Sequence, residues 1–317
     1  MATKNYFHLL LFIFISFGLL ATKPKDRKVS RLYTQAKISL VSGSYKQALK
    51  SLNKALLLNP ACDSAYNLRA FVKISSNDYY GAVADYRYAI KLNPVSAYAY
   101  FNLGTLYLQY GHFTDALANL NQAIALKPRY SDALNNKAII LNTLNRYPEA
   151  ISVYDTLIAR QPKVNRYYLN RSFPKRKMQD LKGALQDLDK ALALYPFDYV
   201  AHYNRGEVLL ELREYRQAVT AFEMARRIYP KAFYGNMNLA RAYQIIGHSS
   251  KAISIFNQAI RKNQNNGEAY YLRGSERIKQ RKLKLAYSDL RVAKMLGYSA
   301  ATEKLDELHK QQAFFKN

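Results

Sequence analysis

The sequence contains few of the residues that cross-link a chain or form its turns, namely cysteine, glycine and proline. Its single cysteine, Cys62, excludes an intrachain disulfide and a thiolate metal cluster. It has no tryptophan. It has only 12 glycines and 9 prolines among 317 residues, too few for the many turns that a protein of short strands requires. Because 49% of the residues are hydrophobic, a sizeable core can still be buried. These absences favour an all-α protein.

Acidic residues are scarce as well. There are 22 Asp and Glu against 48 Lys and Arg, which gives a formal net charge of +26. A field of this sign favours acidic partners, such as an acidic peptide, anionic lipid head groups or nucleic acid. Net charge governs association and solubility, so it constrains the partner and leaves the fold open.

The sequence contains one long apolar run, from Leu9 to Ala21. The run is short for a membrane span of roughly 20 residues, and it fits the apolar part of a signal peptide, about 7–15 residues. Five basic residues follow between Lys23 and Arg31, a cluster that the positive-inside rule keeps in the cytoplasm. We therefore expect residues 1–21 to be a signal peptide or a short membrane anchor and residues 22–28 to be a basic linker. The protein is predicted to be exported, to the periplasm or outside the cell, or else membrane-associated through this segment, and the side of the membrane stays open.

A period of 34 residues runs through most of the chain. Alanines recur at this spacing at Ala48, Ala82, Ala116, Ala150, Ala184, Ala218, Ala252 and Ala286. A second alanine follows each of them by seven positions, except at Leu157, and a small residue precedes each by twelve. A 34-residue unit cannot bury its own apolar face, so such units must stack, and small residues at fixed places let their helices approach closely. The spacing predicts eight helix–turn–helix units: 29–62, 63–96, 97–130, 131–164, 165–198, 199–232, 233–266 and 267–300.

Turn-forming and helix-breaking residues keep the same spacing. A residue suited to a left-handed turn stands midway in five units, at Gly43, Asn77, Gly111, Asn145 and Gly247. Proline closes six of the eight units, where it stops the second helix. Pro174 lies inside the first helix of the fifth unit, where we expect it to kink or split that helix. Residues 301–317 are polar and helix-prone, and we expect a capping helix and a tail there.

This arrangement of small, aromatic and proline residues resembles the tetratricopeptide repeat (TPR) family, from Ser30 to about Ala300. The resemblance implies an all-α fold, a right-handed superhelical α-solenoid of about eight 34-residue units with a C-terminal capping helix. It also implies a non-catalytic scaffold or adaptor. In the family the first helix of each unit lines a concave groove, and that groove holds a peptide of another protein.

The resemblance assigns groove positions to the second, fifth, sixth, ninth, twelfth and thirteenth places of each unit. The sixth place carries an asparagine in five successive units: Asn102, Asn136, Asn170, Asn204 and Asn238. An amide has two donors and an acceptor, so evenly spaced amides can pair with the backbone of an extended peptide. The alternative is that this ladder reflects the family consensus, or that it satisfies local backbone groups or water.

Basic and aromatic residues at neighbouring groove places are candidates for setting specificity. They are Arg166, Arg176, Lys177, Arg241 and Tyr203. The cations could form charge-assisted hydrogen bonds with Asp or Glu of a bound segment, so the predicted partner is an extended, acidic peptide or protein segment. The alternative is a solvated basic face with tyrosines half-buried between helices.

Other classes of function fit the sequence less well. Nucleic-acid binding would explain the charge and the interleaved aromatic residues, but Lys and Arg are spread over every unit instead of forming one stripe. Nine basic residues and one acid lie between Lys23 and Lys54, which would suit an anionic membrane surface and a role in assembly there. The five histidines have no metal-ligand or nucleophile–base spacing, so we expect no enzyme, no metal and no cofactor. Self-association through tyrosine-rich surfaces stays open.

Overall fold

The computed structural model describes the backbone of residues 24–231 and 233–314. Within these ranges the chain forms seventeen α-helices and no β-strand, which confirms the all-α class. The segment that we expect to be a signal peptide or anchor, residues 1–21, lies outside the described residues. Among the helices that are described, none has the length and apolarity that crossing a membrane would require.

The helices form eight pairs that recur every 34 residues. The first helices are α1 (Pro24–Val41), α3 (Asp63–Ser75), α5 (Ala97–Gln109), α7 (Ser131–Thr143), α9 (Asn165–Lys177), α11 (Tyr199–Glu211), α13 (Phe233–Ile245) and α15 (Gly267–Lys279). The second helices are α2 (Tyr45–Leu58), α4 (Tyr79–Leu92), α6 (Phe113–Leu126), α8 (Tyr147–Arg160), α10 (Leu181–Leu194), α12 (Tyr215–Ile228), α14 (Ser249–Lys262) and α16 (Leu283–Met295). A seventeenth helix, α17 (Ala300–Phe314), follows the last pair.

Helix α1 starts earlier than the sequence predicts. It begins at Pro24, so residues 24–28, which we expect to form a linker, are helical. Proline suits the first position of a helix because the N–H that it lacks has no helical partner there. Asp26 lies in the first turn, where its negative charge complements the helix dipole.

The chain divides into two compact units, with the boundary between Ala133 and Leu134. In each of them the helices pack mainly on their neighbours in the chain, which is the contact pattern of an α-solenoid. In the second unit α17 packs on α16, and its Leu305 and Leu308 lie in one buried cluster with Leu290.

Small residues at the eighth, twentieth and twenty-seventh places of the units, with Leu157 as the exception, permit close helix packing, as the sequence predicts. In the first pair Ala36, Ala48 and Ala55 have no exposed surface. At the eighth place of the sixth unit, Gly206 leaves room for a large facing side chain. A Cβ atom on Gly206 would lie 2.5 Å from the ring of Phe222, closer than carbon atoms can approach.

The turn between the two helices of each pair is built in the same way throughout. One residue has a positive φ: Gly43, Asn77, Gly111, Asn145, Gln179, Arg213, Gly247 or Arg281. The next amide then donates back to a carbonyl of the first helix, as from His112 N to Tyr107 O at 2.9 Å, which closes a Schellman motif. Three units use Gln or Arg in place of Gly or Asn, and these three turns were not predicted from the sequence.

Pro174 does not split α9. The helix is continuous from Asn165 to Lys177 with Pro174 buried in its last turn. The ring removes a single backbone donor at that place, the one that would reach the carbonyl of Asn170. The helix then closes normally, and Met178 N donates to Pro174 O at 3.0 Å.

Candidate peptide-binding face

The five ladder asparagines occupy the same place on α5, α7, α9, α11 and α13, and each is partly exposed. Two of them donate to a fifth-place asparagine of the preceding unit. Asn102 Nδ2 donates to Asn67 Oδ1 at 3.1 Å, and Asn170 Nδ2 donates to Asn135 Oδ1 at 3.4 Å. Such a bond occupies one of the two donors of the amide, so it orients the side chain without using its full capacity. We call the places of the first helices that the resemblance assigns to the groove the first-helix face.

Arg176 of α9 is held between two carboxylates of α11. Its guanidinium pairs with Glu207, and its Nε donates to Glu211 Oε1 at 2.7 Å. Burial lowers the pKa of Arg176, but the attraction of Glu207 and the hydrogen bonds to both carboxylates outweigh it, so the pKa is raised. The positive charge of Arg176 is therefore neutralised by two carboxylates in the folded protein.

Tyr203, Asn238 and Arg241 extend the same network. The Tyr203 hydroxyl donates to Glu207 Oε1 at 3.0 Å, and Asn238 Nδ2 donates to the Tyr203 oxygen at 2.9 Å. Arg241 Nη1 donates to Asn238 Oδ1 at 3.5 Å, and its guanidinium also pairs with Glu268. Burial and the Glu207 carboxylate raise the pKa of Tyr203, which keeps its hydroxyl a donor. We call these residues, with Arg176 and Glu211, the first-helix network.

The first-helix network contains more acids than bases. Arg176 and Arg241 face Glu207, Glu211 and Glu268, so this part of the face is not the basic patch that the cations alone suggest. The three glutamates were not among the predicted site residues. They stand at the ninth, thirteenth and second places of their units, which the resemblance also assigns to the groove, so their positions could be found from the sequence.

The other two predicted cations lie against aromatic rings. The guanidinium carbon of Arg166 is 5.3 Å from the ring centre of Tyr167. Lys177 Nζ is 5.5 Å from the ring centre of Phe173. Of the four predicted cations, Lys177 is exposed, whereas Arg166, Arg176 and Arg241 are partly buried. Lys177 is therefore the most accessible to a partner.

Two more bases of the same stretch bind a buried carboxylate. Arg171 Nε donates to Asp187 Oδ2 at 2.8 Å, and Lys175 Nζ lies 2.9 Å from the same oxygen. Equivalent groups recur 102 residues before and after, as Arg69, Lys73 and Asp85 and as Arg273, Arg277 and Asp289. All three aspartates are buried. These ion triads fasten the first helix to the second in units two, five and eight, so their bases serve the fold.

Family profiles match most of the array. A profile described as a tetratricopeptide repeat matches residues 102–165 and 175–233, and a second with the same description matches residues 234–266. A profile described as a TPR repeat matches residues 72–111. Together these matches cover more than half of the chain. A search of curated proteins finds no match.

Solved structures resemble the chain in fold. The crystal structure of the APC/C hetero-tetramer Cut9-Hcn1 matches with a TM-score of 0.56 at 17% identity, over 90% of this chain and 55% of that chain. A tetratricopeptide repeat protein from Parabacteroides merdae ATCC 43184 matches with a TM-score of 0.50 at 19% identity, over 89% of this chain and 99% of that one. YrrB, described as a TPR protein with an unusual peptide-binding site, matches with a TM-score of 0.50 at 19% identity, over 58% and 95%. This chain thus spans about half the length of the Cut9-Hcn1 chain that it matches. At these identities the likeness shows the fold alone.

Proposed function

Because the chain belongs to the tetratricopeptide repeat family, we propose that it is a non-catalytic scaffold that binds a segment of another protein on its first-helix face. The observation that carries this proposal is the asparagine ladder, with amides at a constant place in five successive units and partly exposed. An extended peptide presents N–H and C=O groups in turn, and an amide can pair with both. YrrB, a structural neighbour, is described as having a peptide-binding site, which is in keeping with this use of the fold.

The finer part of the proposal is that the bound segment is extended and acidic. Its support is the net charge of +26 and the exposed Lys177, seven residues from Asn170 on α9. Arg176 and Arg241 give less support because glutamates already match their charge. An acidic side chain would have to displace Glu207 or Glu211 to reach Arg176. The preference for acids is therefore expected to centre on Lys177.

A displayed library of random peptides, selected on the full chain, tests both parts. We expect the selected peptides to be enriched in Asp and Glu. Combining Asn136→Ala, Asn170→Ala and Asn204→Ala should weaken binding of a selected peptide about 100-fold, because three hydrogen bonds of about 1 kcal/mol each are lost. Fluorescence anisotropy of the labelled peptide measures the affinity.

The control is a variant that removes three asparagines elsewhere, Asn119→Ala, Asn121→Ala and Asn265→Ala. Asn119 and Asn121 lie on the second helix α6 and Asn265 lies in the turn before α15. Circular dichroism should show equal helicity in both variants. Undiminished binding by the folded ladder variant would show that the ladder is not the site. Tight binding of peptides without acidic residues would refute only the preference for acids.

A further inference from the structure

The N-terminal helix pair contains a single acidic residue, Asp26, against many basic ones. Between Asp26 and Asp63 the sequence contains no acidic residue and seven basic ones. Six of these are exposed on α1 and α2: Arg27, Lys28, Arg31, Lys46, Lys50 and Lys54. We call these six the N-terminal basic surface. In units five to eight, by contrast, the ion triads and the first-helix network match many of the bases with carboxylates.

One side of α1 is uncovered among the described residues. In the second unit the third and tenth places carry Ala65 and Val72, which are buried in one cluster with residues of the first unit, such as Leu52. In the first unit these places carry Arg31 and Ile38, and Ile38 is 66% exposed. Arg27 lies one helical turn before Arg31 on the same side of α1. This side therefore presents cations at one end and an apolar residue at the other.

The outer side of α2 has a similar composition. Lys46, Lys50 and Lys54 follow one another at intervals of four residues, so they form one stripe along the helix. Leu57, three residues after Lys54, lies at the end of this stripe and is 82% exposed. Cations with exposed apolar side chains among them are typical of a surface that lies in a lipid interface, where the apolar groups enter the head-group region.

We propose that the N-terminal basic surface docks on an anionic membrane surface, with Ile38 and Leu57 entering the interface. The apolar run that ends at Ala21 favours a membrane over nucleic acid. Only two residues separate Ala21 from the start of α1 at Pro24, so at most about 10 Å of chain joins them. A short apolar segment and a basic patch are two weak attachment signals, and membrane proteins commonly need two for stable anchoring. This proposal concerns α1 and α2 and is independent of peptide binding on the first-helix face.

Binding of the full chain to lipid vesicles tests the proposal. The vesicles are phosphatidylcholine with phosphatidylserine, compared with phosphatidylcholine alone, and co-sedimentation gives the partition coefficient. The test variant combines Arg27→Gln, Arg31→Gln, Lys46→Gln, Lys50→Gln and Lys54→Gln. A basic residue near an anionic surface contributes about fivefold in binding, so we expect the variant to partition at least about tenfold more weakly to the anionic vesicles. Added salt should weaken the wild type far more than the variant.

A matched control removes the same charge from exposed lysines of the second compact unit: Lys182→Gln, Lys190→Gln, Lys231→Gln, Lys284→Gln and Lys294→Gln. It should keep the affinity of the wild type for anionic vesicles. Equal losses in the two variants would mean that only total charge matters, and this would overturn the proposal. So would equal partitioning of the wild type to the two kinds of vesicle, or full binding by the test variant. If the test variant lost affinity for duplex DNA and kept its affinity for vesicles, the surface would serve nucleic acid instead.

Discussion

Asp187→Asn is expected to loosen the fifth helix pair far more than Asp189→Asn, two residues away on α10. Asp187 is 3% exposed and holds both Arg171 and Lys175. Asp189 has a side chain that is 52% exposed, and it pairs with Arg205. The two substitutions remove the same charge from one helix, so they differ mainly in burial and in the number of cations left unmatched.

The size of the effect follows from what each substitution leaves behind. Breaking a buried ion pair costs about 3–5 kcal/mol because an uncompensated charge remains. The side chains of Arg171 and Lys175 are 16% and 17% exposed, and Asp155 still pairs with Arg171, so we lower the figure to about 2–3 kcal/mol. An exposed pair such as Asp189 with Arg205 contributes about 1 kcal/mol or less.

Hydrogen–deuterium exchange followed by mass spectrometry measures this effect locally. It suits a repeat array, whose units need not unfold together. We expect amides of α9 and α10 to exchange about 30- to 150-fold faster in Asp187→Asn, and about fivefold faster at most in Asp189→Asn. Asp85→Asn and Asp289→Asn should reproduce the larger effect in α3–α4 and α15–α16. Equal changes in Asp187→Asn and Asp189→Asn would refute the structural role of the triad.

The remaining predictions concern the first-helix network, the close helix contacts and the buried tyrosines. Glu207→Gln removes one carboxylate from Arg176, so anisotropy should show an acidic peptide binding about fivefold tighter, a gain of about 1 kcal/mol; weaker binding would contradict this. Gly206→Ala places a methyl group against Phe222 and should lower the free energy of unfolding by about 1–3 kcal/mol, and an unchanged thermal midpoint would show that the contact can relax. Burial raises the pKa of Tyr33 to about 12, so the folded protein keeps a proton that the unfolded chain loses near pH 10. Stability should therefore fall as the pH rises from about 10 to about 12. Absorbance at 295 nm, recorded with circular dichroism, checks this, and full titration near pH 10 with the helices intact would contradict it.

The repeat boundaries could be predicted from sequence because they depend on local and backbone requirements. The helices can approach closely only where residues such as Ala48 and Ala55 are small, so the positions of these residues fix the period. Turns at Gly43 and Asn77 were equally predictable, because Gly and Asn adopt positive φ readily. Gln179 and Arg213 take the same conformation against their own preference, since the Schellman hydrogen bonds and the packing of the two helices impose it.

The pairing of charges could not be read from residue type and place alone. The positions of Arg176, Glu207 and Glu211 on the first-helix face can be read from the sequence, but not that the two glutamates reach Arg176 from the next unit. Nor does the sequence show that Lys177 is exposed while Lys175 forms an ion pair with Asp187. Such distinctions depend on which carboxylate a long side chain can reach on a neighbouring helix. They follow from the period only when acids and bases are followed together across successive units.

The ion triads have a consequence for how the chain folds. In each triad the partners are no more than 16 residues apart in sequence, so a single helix pair contains the whole group. Contacts this local close with little loss of chain entropy and form early. The three pairs that carry triads are spaced by 102 residues along the chain. No triad needs a residue of another pair, although each pair becomes stable only when neighbouring pairs stack on it. During synthesis we expect α3 and α4 to pair first, followed by α9 with α10 and then α15 with α16, with the intervening pairs ordering on these starting points.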